Sequence, residues 1–440
     1  MNVVLLSTYD LGRQPFGLAS PAAWLRRAGH AVQAIDLSRE PLPVDAVMAA
    51  DLIAFYLPMH TAMRLAMPVI DRVRATNPRA MICAYGLYAP LNADLLRQHG
   101  VTVVLGPEAE QALVDLAATD SSNFQALKPL SPQALPRLEF IQPDRSGLPS
   151  LDRYAALQMP DGSTRIVGAT DATRGCKHRC RHCPIVPVYD GQFRAVPVSV
   201  VIADVRAQVQ HGAAHISFGD PDFFNGPAHA RRIVEALRQE FPGVTYDAII
   251  KVEHLLAHRH LLPLLAETGC LFITSAVESV DDDVLAKLEK GHTRADFVTA
   301  AQLCRDAGVT LAPTFVAFTP WTTIDGYMDL LRVVSDLDLV NNVAPVQWGI
   351  RLLVTWQSRL LELPEIQTAV GPFDAKTLTY PWAHQDPRVD VLQQQVMALA
   401  GVRAARSREA IFATVCELAQ VNLFLPSRSA IPYMNEPWYC

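Results

Sequence analysis

The sequence predicts an α/β chain in which an N-terminal doubly wound parallel sheet precedes a partial (β/α)6 TIM-like barrel and C-terminal helices. Short apolar runs alternate with helical patterns from residue 3 to about 118. A proline-rich stretch breaks that rhythm, and a second alternation runs from 164 to about 360. At 440 residues the chain exceeds what one core usually supports. Four parts are expected: a Rossmann-type domain at 1–118, a linker at 119–162, a barrel at 163–360, and a helical region with a tail at 361–440.

The first sheet should take its strands from 3–6, 31–35, 52–56, 81–85 and 101–105. Its first helix is punctuated by Ser20 as N-cap, Pro21 at the first helical position and Gly29 beyond the end. Parallel sheets bind ligands at the C-terminal ends of their strands, so the loops after 7, 56, 85 and 105 should form its site. Their candidates are Tyr9 and Gly12, then Pro58, Met59 and His60, then Tyr85 and Gly86, and finally Gly106. No loop carries G-x-G-x-x-G or a phosphate-loop lysine, which argues against a dinucleotide or ATP. Glycines beside aromatics suit a large flat ligand.

Ser121, Ser122, Pro129, Pro132, Pro136, Pro143, Pro149 and Pro160 prevent regular elements from persisting across the linker. Six barrel strands are then expected at 165–169, 215–218, 246–251, 271–277, 310–317 and 346–353, too few for a closed eight-stranded barrel. Amphipathic helices at 386–402 and 406–421 follow. His254 and His258 lie one helical turn apart, but Glu253 precedes the first of them, so H-E-x-x-H is not met. With His260 nearby, the segment reads as histidine-rich without a metal.

A net charge of −6 and a pI near 6.1 offer no general attraction for nucleic acid or anionic membrane. No run approaches the length of a membrane span, and no basic leader precedes the first strand, so a cytoplasmic enzyme is expected. Eight cysteines are too sparse for a disulfide scaffold. Cys83, Cys270, Cys304 and Cys416 read as core thiols.

Cys176, Cys180 and Cys183 crowd onto one loop directly after the first barrel strand. Three thiolates leave one iron of a cubane cluster unligated, free to chelate the amino and carboxylate groups of a methionine. Arg174, Lys177, Arg179 and Arg181 surround the loop and should favour thiolates. The alternative is a structural zinc site completed by His178 or His182, although no distant second pair of cysteines accompanies it.

The C-x3-C-x2-C loop resembles that of the radical S-adenosylmethionine (SAM) superfamily, with His182 where many members carry an aromatic residue. The resemblance covers roughly 164–360 and implies a 4Fe-4S cluster that reductively cleaves SAM. It places the methionine-binding turn at Ser217-Phe-Gly-Asp-Pro-Asp222, where Gly219, Asp220 and Pro221 replace the usual double glycine and glutamate. Glu278 and Ser279 stand where family members bind the ribose hydroxyls; they equally suit a cap for the following helix. Arg294 and Arg351 are candidates for the ligand carboxylate, Arg351 the stronger because it sits in an apolar run. Asp222 and Asn225, with Phe223 and Phe224, are candidates for the substrate pocket, as are Trp348 and Trp356.

A five-stranded domain ahead of such a barrel resembles the cobalamin-binding half of cobalamin-dependent radical enzymes. The Asp-x-His-x-x-Gly signature is absent, so cobalamin would bind without a histidine from the first loop, His60 serving as a polar edge contact. Gly175–Pro184, Phe218–Pro227 and the ending Asn435-Glu-Pro-Trp-Tyr-Cys440 resemble the radical proteins with a CUAEP or CCAEP tail. That likeness implies a chain cut at a selenocysteine codon after Cys440; the alternative is a plain terminal thiol.

The leading expectation is methyl transfer to an unactivated carbon of a small molecule or peptide, with SAM, cobalamin and a reducing partner such as flavodoxin or ferredoxin. The alternatives are a radical enzyme whose N-terminal domain is empty, and a non-enzymatic zinc or electron-transfer module.

Overall fold

Five apolar runs of the N-terminal part pair into one parallel sheet: β1 (Asn2–Ser7), β2 (Ala31–Asp36), β3 (Leu52–Tyr56), β4 (Met81–Tyr85) and β5 (Val103–Val104). The strand order is β2-β1-β3-β4-β5, with Leu5 opposite both Ala34 and Ala54. Helices cover both faces, and β1, β3 and β4 are buried on both sides, as their apolar runs require, while the edge strand β2 is exposed in its first half. The computed structural model describes residues 1–119, 135–401, 407–423 and 430–435.

The second sheet contains β6 (Ala156–Gln158), β7 (Thr164–Thr170), β10 (His215–Phe218), β11 (Thr245–Ile249), β12 (Cys270–Glu278), β13 (Thr310–Phe315) and β14 (Tyr433–Met434). A small hairpin of β8 (Thr173–Gly175) and β9 (Phe193–Ala195) lies between β7 and β10 in the chain. The sheet order is β13-β12-β11-β10-β7-β6-β14; the run from β13 to β7 is parallel, and β6 and β14 are antiparallel additions. The result is a curled half-barrel, its core formed with the helices outside it. Cys270, Cys304 and Cys416 are buried in that core, and Cys83 in the first sheet. Among the described residues no helix is long and apolar enough to cross a membrane.

The expected sixth barrel strand does not form. Residues 345–348 make a 3-10 turn, and only Phe318 and Arg351 bridge in parallel fashion. The reason is local. Trp348 turns inward between Phe315 and Phe412, and the Gln347 side chain accepts the Phe315 N–H at 2.9 Å in place of a ladder partner.

The first helix begins at Phe16, a turn earlier than Ser20 and Pro21 suggest. Pro21 therefore lies inside it and cannot donate to the Gly17 carbonyl four residues back. The Tyr85 hydroxyl supplies that hydrogen bond, at 2.7 Å. Ser20 donates to Glu110 instead of capping.

The linker is built in through Arg145. Its guanidinium donates to both Asp204 carboxylate oxygens (2.7 and 2.8 Å), to Gln14 Oε1 (2.8 Å) and to the Ala169 carbonyl, so the first loop, the last turn of β7 and a barrel helix share one cation. From the other end of the chain, Leu378 and Phe373 pack on one face of the first sheet.

Asp204 is 1% exposed, so removing its partner strands a buried carboxylate. Arg145→Met should lower stability by about 3–5 kcal/mol. Urea unfolding followed by circular dichroism reads this as a lower midpoint, and an unchanged midpoint would refute it.

Candidate active site

The three cysteines occupy the excursion between β8 and β9, just past the C-terminal end of β7. Gly175 opens it at φ +76°, and a Cβ there would lie 2.3 Å from the Tyr189 ring and 2.6 Å from the Gln192 carbonyl. Asn225 fixes the loop from β10's side: its Oδ1 accepts the Lys177 N–H at 3.1 Å and its Nδ2 donates to the Gly175 carbonyl at 3.0 Å. This residue, expected in the substrate pocket, is a brace for the loop. Phe223 and Phe224 enter the barrel core, as does Trp348, while Trp356 stacks on Tyr380.

Cys176 and Cys180 are buried, Cys183 is half-buried, and none is in a disulfide. Burial pushes the Cys176 thiol up to about 11 and that of Cys183 to about 12. The expected basic field is absent because the loop's arginines are committed to acids. Arg174 pairs with Glu108 and Glu110, Arg179 with Asp190, and Arg181 with Glu289 and Glu362. The cations that favour the thiolates are Lys251 at Cys176 and Lys290 at Cys183, both buried and both from outside the loop. The donor set fits a cluster with one open iron. Three sulfurs share one loop, and backbone N–H groups of His178 and Ile185 point at Cys176 and Cys183. Metal binding would displace the protons that burial otherwise retains.

Glu278 ends β12 at φ +70°, a strained conformation for a side-chain-bearing residue. Its carboxylate meets Lys290 Nζ at 3.3 Å and His182 Nε2 at 3.1 Å. Burial alone would raise its pKa; Lys290 and then His182 overcome this and hold it at about 2. His182 and Glu278 are thus brought together, with Lys290 the member that sequence reasoning missed. A lysine and histidine spaced by one residue in Lys290-Gly-His292 gave no periodic signal. Ser279 accepts the Asp281 N–H at 3.1 Å in the turn before the helix, whose N-cap is Asp281 and neither Glu278 nor Ser279. Arg351 is not free for a ligand: it pairs with Asp390 at 2.6 Å, donates to the Trp382 carbonyl and lies 3.4 Å from the centre of the Trp382 ring. Arg294 pairs with Asp329 at the surface.

Gly219, Asp220 and Pro221 divide. Asp220 turns inward, accepting from Ala172 N at 2.9 Å and Thr173 Oγ at 2.6 Å, and burial raises it to about 7. Gly219 and Pro221 instead line a cleft of about 230 Å³ between the two sheets. A Cβ on Gly219 would lie 2.5 Å from Asp171 Oδ1, so glycine is needed for the acid to face the cleft.

The cleft's other wall comes from the strand ends of the first sheet, including the β1/β3 switch point where the strand order reverses. Pro58, Met59, Tyr85 and Gly86 line it, with Asp10, Arg13 and Tyr56 from the same group of strand ends. Tyr9, Gly12, His60 and Gly106 are not part of its wall. His60 bonds the Thr377 carbonyl through Nε2 at 2.7 Å, and burial lowers its pKa, so it tethers the returning C-terminal segment as a neutral imidazole. Gly106 serves the sheet: its carbonyl accepts the Gly86 N–H at 3.2 Å. Gly86 itself has φ +104°, and a Cβ there would approach the Leu57 carbonyl oxygen to 2.8 Å. Tyrosine rings beside glycine backbone fit a flat ligand in kind. The tail residues 436–440, Cys440 among them, lie outside the described residues.

Residues 171–325 match the family model of the Radical SAM superfamily. Hopanoid C-3 methylase of Methylococcus capsulatus is 23% identical over 325 residues, 70% of this chain and 62% of that protein, so this chain spans less than two thirds of that relative's length. The radical SAM methyltransferase TsrM from Kitasatospora setae, solved with cobalamin and a 4Fe-4S cluster bound, superposes with a TM-score of 0.60 at 16% identity over 77% of this chain and 73% of its own. The cobalamin-dependent SAM radical enzyme OxsB, solved with aqua-cobalamin, gives 0.68 at 14% over 96% and 71%. These likenesses show the fold, and the family match falls within the half-barrel.

Asp10 faces the cleft, and burial raises its pKa to about 7 against the pull of Arg13. In the folded chain it keeps its proton between about pH 4 and 7 while the unfolded chain has lost it, so it costs increasing stability as pH rises through that window. Asp10→Asn should remove this cost, its stability relative to wild type rising by on the order of 2–3 kcal/mol from pH 5 to pH 8. Urea unfolding of the cofactor-free chain at both pH values checks it; a pH-independent difference would contradict the assignment.

Proposed function

We propose that this chain, a radical SAM enzyme by its 171–325 domain, holds a 4Fe-4S cluster on Cys176, Cys180 and Cys183 and binds cobalamin in the cleft between its sheets. Its reaction would be methyl transfer to an unactivated carbon of a small molecule or peptide. The observation that carries this reading is the cleft itself: strand ends of the first sheet and of the half-barrel open onto the same space, beside the cysteine loop. When bound, the cluster supplies the electron that opens a sulfonium carbon bond, and cobalamin supplies a methyl carrier.

This chain's residues would position and shield. Gly219 and Pro221 offer close backbone approach to an amino-acid ligand, and Glu278, held ionised by Lys290 and His182, offers a carboxylate near the loop. Tyr56 and Tyr85 give flat apolar walls that exclude water. An electron donor of the flavodoxin or ferredoxin kind would serve the cluster.

A second reading keeps the cluster and leaves out cobalamin, and the commitment of His60 to Thr377 favours it. Anaerobic reconstitution separates the two. The first expects corrin absorption bands at one equivalent of cobalamin, and their absence would leave the second. Both expect 5′-deoxyadenosine when reductant and SAM are added, about four irons per chain, and loss of both on Cys180→Ala. A reconstituted chain that binds zinc on these cysteines and releases no deoxyadenosine would overturn both.

A further inference from the structure

Beside the cluster loop, three side chains from three separate elements converge without being explained by anything above. His178 comes from the loop, Asp222 from the turn after β10, and His254 from the helix Val252–Ala257. One ligating atom of each lies within 4.8 Å of the others. His178 Nε2 is 3.1 Å from His254 Nε2 and 3.4 Å from Asp222 Oδ2. Asp222 Oδ2 is 2.6 Å from His254 Nδ1.

We propose that His178, Asp222 and His254 form a mononuclear site for a divalent transition-metal ion, separate from the cysteine site. The first argument is burial. Asp222 is fully buried and His254 nearly so, and at these atoms Asp222 Oδ2 has only the two imidazoles, His254 Nδ1 at 2.6 Å and His178 Nε2 at 3.4 Å. A cation shared by the three would satisfy buried polar atoms that otherwise have only one another.

The second argument is metric. Four ligands at about 2.0–2.1 Å around a tetrahedral ion stand roughly 3.3 Å apart; the 3.4 Å from His178 Nε2 to Asp222 Oδ2 matches that edge, and the 2.6 Å between Asp222 Oδ2 and His254 Nδ1 would open when an ion enters between them. The third is the surrounding shell. Asp222 Oδ1 is fixed by the Phe224 N–H at 3.1 Å, leaving Oδ2 to face the imidazoles. His178 Nδ1 faces Glu253 at 3.5 Å, the carboxylate–histidine arrangement that orients Nε2 toward a metal. Two imidazoles and one carboxylate suit zinc or ferrous iron, with coordination positions left for water or a ligand. Such an ion would tie the cluster loop to the β10 turn and the next helix.

The test uses the full chain with its cysteine cluster reconstituted, so that the thiols are already occupied. After dialysis against zinc(II) and gel filtration, elemental analysis should find one zinc per chain in addition to the cluster iron. Cobalt(II) at the same site should give visible d–d bands without sulfur-to-cobalt charge transfer. His254→Gln and Asp222→Asn should each lose the equivalent, and Glu253→Gln should weaken binding about tenfold. His258→Gln, which alters the neighbouring imidazole outside the trio, should retain it. No retained zinc would overturn the proposal, leaving a hydrogen-bonded Asp–His–His chain. So would zinc retained equally by His254→Gln, or cobalt bands with thiolate character.

Discussion

Arg174 sits one residue before the glycine that opens the cysteine loop, and its guanidinium is buried between the two sheets. Glu110 lies at 2.7 Å, Glu108 at 3.1 Å and Ser20 Oγ at 3.1 Å, while the rings of Phe16 and Phe140 stand about it at 5.2 and 5.1 Å. Tyr189, from the far side of the loop, donates to Glu108 at 2.8 Å. Two buried carboxylates near one another are tolerable only with a fixed cation between them, and a planar fork of donors meets several acceptors at once. This one contact therefore sets the position of the loop relative to the first sheet. The cleft follows from it, since one wall belongs to each side.

The loop's own positive charge is thus structural, and the thiols depend on charge brought from elsewhere. Lys251 and Lys290 are both buried; Lys251 reaches the loop from just after β11, and Lys290 from the connection after the helix Asp282–Lys287. Lys290 also holds Glu278 ionised, so one ammonium acts on two neighbouring groups of the site. In a closed space of low polarity these few charges act more strongly than a larger number of exposed arginines.

Legibility in the sequence followed the range of the interaction. Strands were readable because their apolar runs are local, and the cysteine loop because its ligands are adjacent in the chain. The loops after β1, β3, β4 and β5 were readable as cleft walls from topology alone, although His60 and Gly106 within them face other duties. Helix and strand limits failed where a distant group intervened. Tyr85 satisfies the carbonyl that Pro21 leaves open, and Gln347 replaces a sixth strand. Polar partners far apart in the chain left no pattern at all: Arg145 with Asp204, Arg174 with Glu108, and His178 with Asp222 and His254. Spacing pairs His254 with His258, whereas in space His254 also meets His178, Nε2 to Nε2 at 3.1 Å.

The packing of Phe373 and Leu378 on the first sheet bears on the order in which the chain acquires structure. Strands β1 to β5 leave the ribosome early and could pair at once, since their contacts are close in sequence. One of their apolar faces nevertheless waits for a segment made after all the parallel strands of the half-barrel. Until then the nascent sheet exposes hydrophobic surface of the kind that recruits chaperones or neighbouring chains. Division of the gene between the two sheets would make that interval permanent, so the N-terminal unit, though a sheet with its own helices, is completed only by the chain's last quarter.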